Sequence, residues 1–377
     1  MAERFNPSSY EPGTHPDLPP PASSVGLIGW AKTNLFSSPL NIALTLVAIW
    51  FLWQILPPSI HWLFSGAVWA AADRKECWAL MDAPRDGACW AFIRGSLELF
   101  LYGWYPEPER WRVNLTFALF AAAVFGALRE NIPGKRYWLL FAAAFPFIAA
   151  WLLFGGFGLE PVPTNKLGGI LLTLVVAVTG ISFSLPIGVA LALGRRSRLP
   201  ILRALCVIFI EFIRGVPLIT LLFVASTMLT YFLPPGSTFD LLIRVLIMVT
   251  LFAAAYIAEV VRGGLQGLDS GQYEAADALG LTYWQAHRLI ILPQALKISI
   301  PGIVNTFIGS YKDSVLVLII GMMDILGLGR ARLNDPDWLG LAPELYIFIS
   351  LFFFISCFAM SRYSLSLERK LETGHKT

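Results

Sequence analysis

The chain runs to 377 residues, 56% of them hydrophobic, with 13 Trp and 27 Phe but only 14% charged side chains and a mean hydropathy of +0.65. That balance excludes an ordinary soluble domain and implies a polytopic membrane protein. The net charge of +3 gives no argument for a nucleic-acid partner.

Residues 1–38 are rich in Pro and Ser, mixed in charge, and lack the compact basic start of a cleavable signal. They are expected to form a disordered cytoplasmic tail. Crossing a hydrocarbon core about 30 Å thick takes roughly 20 mostly apolar residues, and eight runs qualify: 39–56, 113–128, 137–156, 168–193, 205–232, 240–261, 299–321 and 343–362. The expected fold is therefore all-α, a transmembrane helical bundle of about eight spans. An even number of spans puts both termini on one side.

Basic residues in short loops set the orientation. Arg129, Lys135 and Arg136 share one loop, Arg195, Arg196, Arg198 and Arg203 another, and Arg362, Arg369 and Lys370 follow the last span. All fall on one face, which the rule makes cytoplasmic. The 57–112 loop carries six basic residues, but over fifty residues charge bias governs less strictly, and it is placed outside with 234–240 and 322–342. Residues 366–377 form a cytoplasmic C-terminal tail.

Cys206 and Cys357 lie in apolar runs and read as buried free thiols. Cys77 and Cys89 both lie in the outer loop, where an oxidising compartment allows a disulfide. Closing so short a loop would stabilise it by roughly 3 kcal/mol. The alternative is two free thiols in a packed loop.

The spans divide into a three-span extension over 39–167 and a five-span core over 168–365. The core contains a polar island at 263–297. Within GQYEAADALGLTYWQAHRLIILPQ (271–294), Asp269 or Ser270 can cap a helix over Gln272–Leu279, and Gly280 can end it in a left-handed conformation. Thr282 and Gln285 form a capping-box pair that opens a second helix, with Pro293 following its end. Glu274 and Asp277 without Lys or Arg in the first helix suit docking on a protein better than on anionic lipid.

Glu274-Ala275-Ala276, three residues, Gly280, nine residues, then Ile290-Ile291-Leu292-Pro293 resembles the EAA motif of membrane subunits of bacterial ABC importers. Residues 211–219, 255–268, 271–282 and 311–317 are similar to the polar amino acid permeases. The extension, with 156–162 and 194–205, is similar to the larger membrane subunit of general L-amino-acid importers. The resemblance implies a permease of the bacterial inner membrane, paired with a second membrane subunit, two cytoplasmic ATPases and a periplasmic amino-acid-binding protein. ATP and Mg would sit on the ATPases, and this chain would bind no cofactor. Tyr273, Glu274, Ala275, Ala276, Leu279, Gly280 and Leu281 become the expected ATPase-coupling residues.

The resemblance also places substrate contacts near the matching RGVP and KDS stretches: Glu211, Arg214, Gly215, Val216 and Pro217, and Lys312, Asp313 and Ser314. Arg214 follows Arg203 by eleven residues, about 16 Å of helix, and Asp313 follows Pro301 by twelve, so both are expected near midplane. Charges at that depth are costly and usually functional. An amino-acid zwitterion would set its carboxylate by Arg214 and its ammonium by Asp313 or Glu211. Mutual neutralisation of Glu211 and Arg214 on one helical face is the plain alternative.

Walker A, H-E-x-x-H and G-x-S-x-G motifs are missing, so neither catalysis nor a metal site is expected. An ion-coupled secondary transporter or channel is the competing function. The EAA segment discriminates, since a self-sufficient carrier has no reason to keep it.

Overall fold

The computed structural model describes residues 26–83, 85–129, 131–228, 231 and 239–372. The expected tail over 1–25, most of the 234–240 connection and residues 373–377 lie outside them. Among the described residues the structure is helices, turns and isolated bridges, with no strand. Seven helical stretches are long and apolar enough to cross a membrane, and a bent pair raises the number to eight.

The chain divides into two compact units, one of residues 1–68 and 78–88 and the other of 69–77 and 89–377. In the first, α1 (Gly26–Asn34) precedes α2 (Pro39–Ile60), which Ser38 caps by accepting from the Asn41 N–H at 3.2 Å. The expected tail therefore ends earlier, because 26–34 is helical. Pro57 and Pro58 are followed by a π turn over His61–Ser65. Here the bonding register widens where proline N–H groups are missing. None of the residues of α2 is buried, as befits a helix solvated by lipid.

The second unit begins its helices in the long loop. α3 (Arg74–Ala79), α4 (Trp90–Gly95) and α5 (Leu97–Tyr102) are short, and a disulfide joins Cys77 to Cys89 with their Cα atoms 6.1 Å apart. The Cys89 N–H donates to Glu344 at 3.0 Å. Next come α6 (Arg110–Leu128) and α7 (Lys135–Phe154). The last carbonyls of α6 do not depend on water: Lys135 Nζ donates to those of Gly126, Ala127 and Arg129 at 2.7–3.0 Å, and Tyr363 Oη to that of Leu128 at 3.3 Å. A cation there also opposes the negative helix end.

The core of the unit is α8 (Gly169–Arg195), α11 (Leu241–Gln266) and α14 (Leu292–Asp313), with α8 against α11 and α11 against α14 as the principal contacts. Small residues bring these backbones together. A Cβ on Gly188 would lie 2.6 Å from Ile257 Cγ2, and one on Gly264 2.5 Å from the Ala295 carbonyl oxygen. Between them α9 (Pro200–Gly215) and α10 (Leu218–Phe223) are bent by 104° about Gly215–Pro217. The expected span over 205–232 is thus broken at Gly215 and Pro217, the residues in it least suited to a continuous helix. On α9, Ile201, Leu205, Ile208 and Phe212 form an exposed apolar stripe and Cys206, Ile210 and Ile213 a buried one.

α12 (Ser270–Ala278) and α13 (Tyr283–Ala286) lie between α11 and α14, α15 (Ile325–Arg332) follows α14 through a 3-10 segment, and α16 (Ala342–Glu372) closes the chain. α16 carries the helix through 366–372, so the expected C-terminal tail is helical in that part. Pro293 does not end a helix. A π turn over His287–Ile291 shifts the register just ahead of it, and the helix continues into α14.

Asp324 caps α15, accepting from the Gly327 N–H at 2.8 Å, while its other carboxylate oxygen is buried without a hydrogen-bond partner among the described residues. It is 0% exposed, beside the first turn of α8, where the Gly169 N–H donates to the Met323 carbonyl at 3.0 Å. Burial pushes this carboxyl up to about 6 from 3.8. A carboxyl raised by folding stabilises below its unfolded pKa, and that contribution is lost as pH rises through 6. Asp324→Asn keeps the capping oxygen and does not titrate. The stability of the natural chain relative to this variant should fall by about 2–3 kcal/mol between pH 4 and 7, measured by unfolding in detergent at each pH. A constant difference would contradict the buried, unpaired carboxylate.

Candidate functional site

The segment between α11 and α14 folds as two short helices. Asp269 caps α12 through the Gly271 N–H at 3.0 Å, and Gly280 turns the chain with φ +69°. Thr282 and Gln285 complete a capping box, with the Thr282 N–H donating to Gln285 Oε1 at 3.0 Å. The turn is tied by the Leu281 N–H to the Ala276 carbonyl at 3.2 Å. Ala276 is buried, Tyr273 and Leu281 are half-buried, and Glu274, Ala275 and Gly280 are exposed. Leu279 is 73% and Trp284 71% exposed, so this tip presents apolar side chains beside the Glu274 carboxylate.

Behind that face the segment is anchored to three spans. Tyr273 Oη donates to the Leu265 carbonyl of α11 at 3.1 Å and accepts from Arg196, which follows α8 directly, at 3.1 Å. The Arg196 guanidinium lies 5.5 Å from the Tyr273 ring centre. Gln294 of α14 donates to Gln272 of α12 at 2.9 Å. Beneath, Ile291, Ala295, Leu265 and Val261 form one apolar cluster with Ala192 and Ile210.

Beside this cluster lies a knot of charge. Arg195, the last residue of α8, reaches Glu211 at 2.7 Å and Glu259 of α11 at 3.4 Å. Arg214 lies 4.0 Å from Glu211, 3.8 Å from Glu259 and 5.6 Å from the Tyr256 ring centre. Arg262 pairs with Glu259 through both guanidinium nitrogens facing it. Two carboxylates thus face three guanidiniums drawn from α8, α9 and α11.

This geometry corrects the expected depth of Arg214. Its guanidinium stands level with Glu259, seven residues or about 10 Å from the end of α11. Asp313 lies elsewhere. On α14, Ser299 donates to the Val260 carbonyl at 3.3 Å, so Asp313 is fourteen residues, about 20 Å, farther along. One zwitterion cannot span that separation, and the expected pairing of Arg214 with Asp313 around it is corrected. Asp313 is half-buried and Lys312 exposed, and neither makes an ion pair among the described residues. Ser314 is buried and donates to the Tyr311 carbonyl at 2.7 Å. Gly215, Val216 and Pro217 form the bend, Val216 and Pro217 both extended.

Residues 184–373 match the model of the binding-protein-dependent transport system inner membrane component family. The chain is 47% identical over 363 residues to the inner membrane amino-acid ABC transporter permease protein YhdY of Escherichia coli, covering 96% of this chain and 97% of that protein. The chain belongs to that family. It is 45% identical to the glutamate/glutamine/aspartate/asparagine transport system permease protein BztC of Rhodobacter capsulatus, covering 95% of this chain and 96% of the relative. A crystal structure of an amino acid ABC transporter with histidines is 29% identical, with a TM-score of 0.48, over 54% of this chain and 92% of its own.

As a permease of this family, the chain is a multi-pass membrane protein. Sequence reasoning missed Arg195, Glu259 and Arg262 as partners of Glu211 and Arg214. A signal was there to find, since Glu211–Arg214 and Glu259–Arg262 repeat one E-x-x-R spacing on two helices. Glu259 is the carboxylate that all three arginines approach. Glu259→Gln should lower stability in detergent by about 1–3 kcal/mol, below the cost of breaking a fully buried pair. Glu211→Gln, at a side chain 53% exposed, should cost under about 1 kcal/mol. Equal losses would deny Glu259 the central place.

Proposed function

We propose that this chain is the permease subunit of an ATP-driven importer that carries L-amino acids across the bacterial inner membrane, with both termini cytoplasmic. The carrying observation is the coupling segment, whose capped helices present Leu279, Trp284 and Glu274 outward while Tyr273, Ala276 and Gln272 tie it to α8, α11 and α14. Such a surface fits the groove of an ATPase subunit, and such anchors fit transmission of its motion. The amino-acid permease relatives support the substrate class. Partners are a second membrane subunit, a cytoplasmic ATPase pair that holds ATP and Mg, and an external amino-acid-binding protein. An ion-coupled carrier would leave the apolar tip without a purpose.

Within this reading Lys312 and Asp313 are the better candidates for the substrate zwitterion, being charges at the far end of α14 that make no ion pair among the described residues. Glu211 and Arg214 serve the bundle's ion cluster. Asp313→Asn should lower uptake by the assembled complex about tenfold, the worth of one charged contact. Arg214→Gln should act through stability. Uptake that survives Asp313→Asn at the natural level would place the substrate elsewhere.

The ATPase interface has its own test. Gly280→Val forces a β-branched residue to φ +69°, costing about 1–2 kcal/mol, though a Cβ there meets nothing within 4 Å. Glu274→Lys reverses an exposed charge. Both variants should insert normally and retain less of a Walker-A-bearing ATPase on co-purification, with lower transport. Full retention and full transport in both would remove the coupling role.

A further inference from the structure

The coupling-segment end of the second unit has a basic surface that transport leaves unused. Two cavities line the last turns of α16. The first, about 290 Å³, lies between α6 and α16 and is walled by Arg129, Asn131, Tyr363, Ser366 and Lys370. The second, about 300 Å³, is walled by Arg362, Leu365, Arg369 and again Ser366 and Lys370. The shared residues make the two neighbours. Four cations stand in these walls, and neither holds an acidic residue among the described residues.

The construction fits phosphate. Arginine offers a planar fork of donors matched to phosphate oxygens, and Lys370, Asn131 and the Ser366 hydroxyl add single donors. Arg129 is held above Phe125, with its guanidinium 5.5 Å from the ring centre. Among the described residues no ion pair engages Arg129, Arg362 or Arg369. The floor of the first cavity is structural, since Tyr363 is bonded to the Leu128 carbonyl and Lys135 closes the end of α6.

What surrounds the cavities selects the source of the phosphate. Phe125 on α6 and Phe358 on α16 are exposed apolar side chains one turn to the membrane side of Arg129 and Arg362, and the exposed Leu128 and Leu365 stand in the cavity walls beside the cations. A soluble phosphate would use the cations alone, whereas a lipid uses both surfaces at once. Basic pockets between spans on the cytoplasmic side suit anionic headgroups. Two adjoining basic cavities fit a lipid with two phosphodiesters joined by a short linker. We propose that the ends of α6 and α16 form a binding site for an anionic phospholipid of the two-phosphate, cardiolipin type, with Arg129 and Lys370 taking one phosphate and Arg362 and Arg369 the other.

The test is native mass spectrometry of the full-length chain in detergent, titrated separately with cardiolipin, phosphatidylglycerol, phosphatidylethanolamine and glycerol 3-phosphate. One copy of cardiolipin should bind saturably, at least about tenfold more tightly than phosphatidylglycerol, and the other two should not saturate. Arg129→Gln with Lys370→Gln, and separately Arg362→Gln with Arg369→Gln, should each weaken cardiolipin about tenfold or more. Arg136→Gln with Arg198→Gln removes equal charge from the same end outside both cavities and should change it little. Unchanged binding in both cavity variants, or equal weakening by the control pair, overturns the site. Saturable glycerol 3-phosphate binding that displaces cardiolipin overturns the lipid assignment, and phosphatidylglycerol binding as tightly as cardiolipin overturns the two-phosphate assignment. Should a cavity variant unfold, raising salt on the natural chain serves instead: cardiolipin binding should fall steeply, and salt-insensitive binding overturns the proposal.

Discussion

Glu259 is the point on which the working end of the bundle depends. Three guanidiniums, from Arg195, Arg214 and Arg262, converge on this carboxylate, and Glu211 shares the first two of them. In water such pairs contribute little, but at the edge of a hydrocarbon layer each ion left alone carries a large desolvation cost. The cluster therefore tolerates little separation of α8, α9 and α11. Its side chains are a quarter to a half exposed, so water screens the pairs and the cluster is a clasp, strong only while the helices remain together.

The same dipeptide joins that clasp to the coupling segment. Arg195 enters the cluster while Arg196, its neighbour, donates to the Tyr273 hydroxyl. Tyr273 in turn holds the Leu265 carbonyl. A displacement of α12 is thus felt at the end of α8 and along α11 together, and Gln272 conveys it to α14 through Gln294. The small residues of the core give this route its stiffness. With Gly264 closed against the Ala295 backbone, α11 and α14 have no slack to absorb motion before it reaches the rest of the bundle.

Most of the bundle was legible because spans announce themselves by length and apolarity, and seven stretches cover the expected places, although Pro39–Ser65, Tyr283–Ile320 and Ala342–Leu371 run well past them. The caps at Asp269 and Thr282 and the left-handed Gly280 were equally legible, since each is a local backbone requirement met by one residue type. The failures share a cause. Gly215 and Pro217 are residues that loosen a helix, but apolarity gives a segment's length and not its direction, so the 104° size of the bend there was not legible. Pro293 misled because a π turn compensates a missing N–H without ending the helix. The cluster at Glu259 is a meeting of three helices, and only its E-x-x-R spacing was present in the one-dimensional pattern.

Short helices explain why the coupling element needs so many attachments. α12 has nine residues, below the length at which a helix persists alone in water, whereas the four residues of α13 are the first turn of the helical stretch Tyr283–Ile320. The order of α12 must come from outside: the Asp269 cap, the burial of Ala276, and the turn that joins it to the capping box of Thr282 and Gln285. This has a mechanical consequence. A long self-stable helix would keep its shape when pulled from its seat, whereas α12 keeps its shape only in place, so a force on the exposed tip must be carried into the spans or unfold the element. The π turn that follows sends that force directly into α14, because the helical chain runs on without a loop from Tyr283 to Ile320. The polar island in an otherwise apolar sequence is therefore the solvent-facing start of a span whose far end carries Lys312 and Asp313.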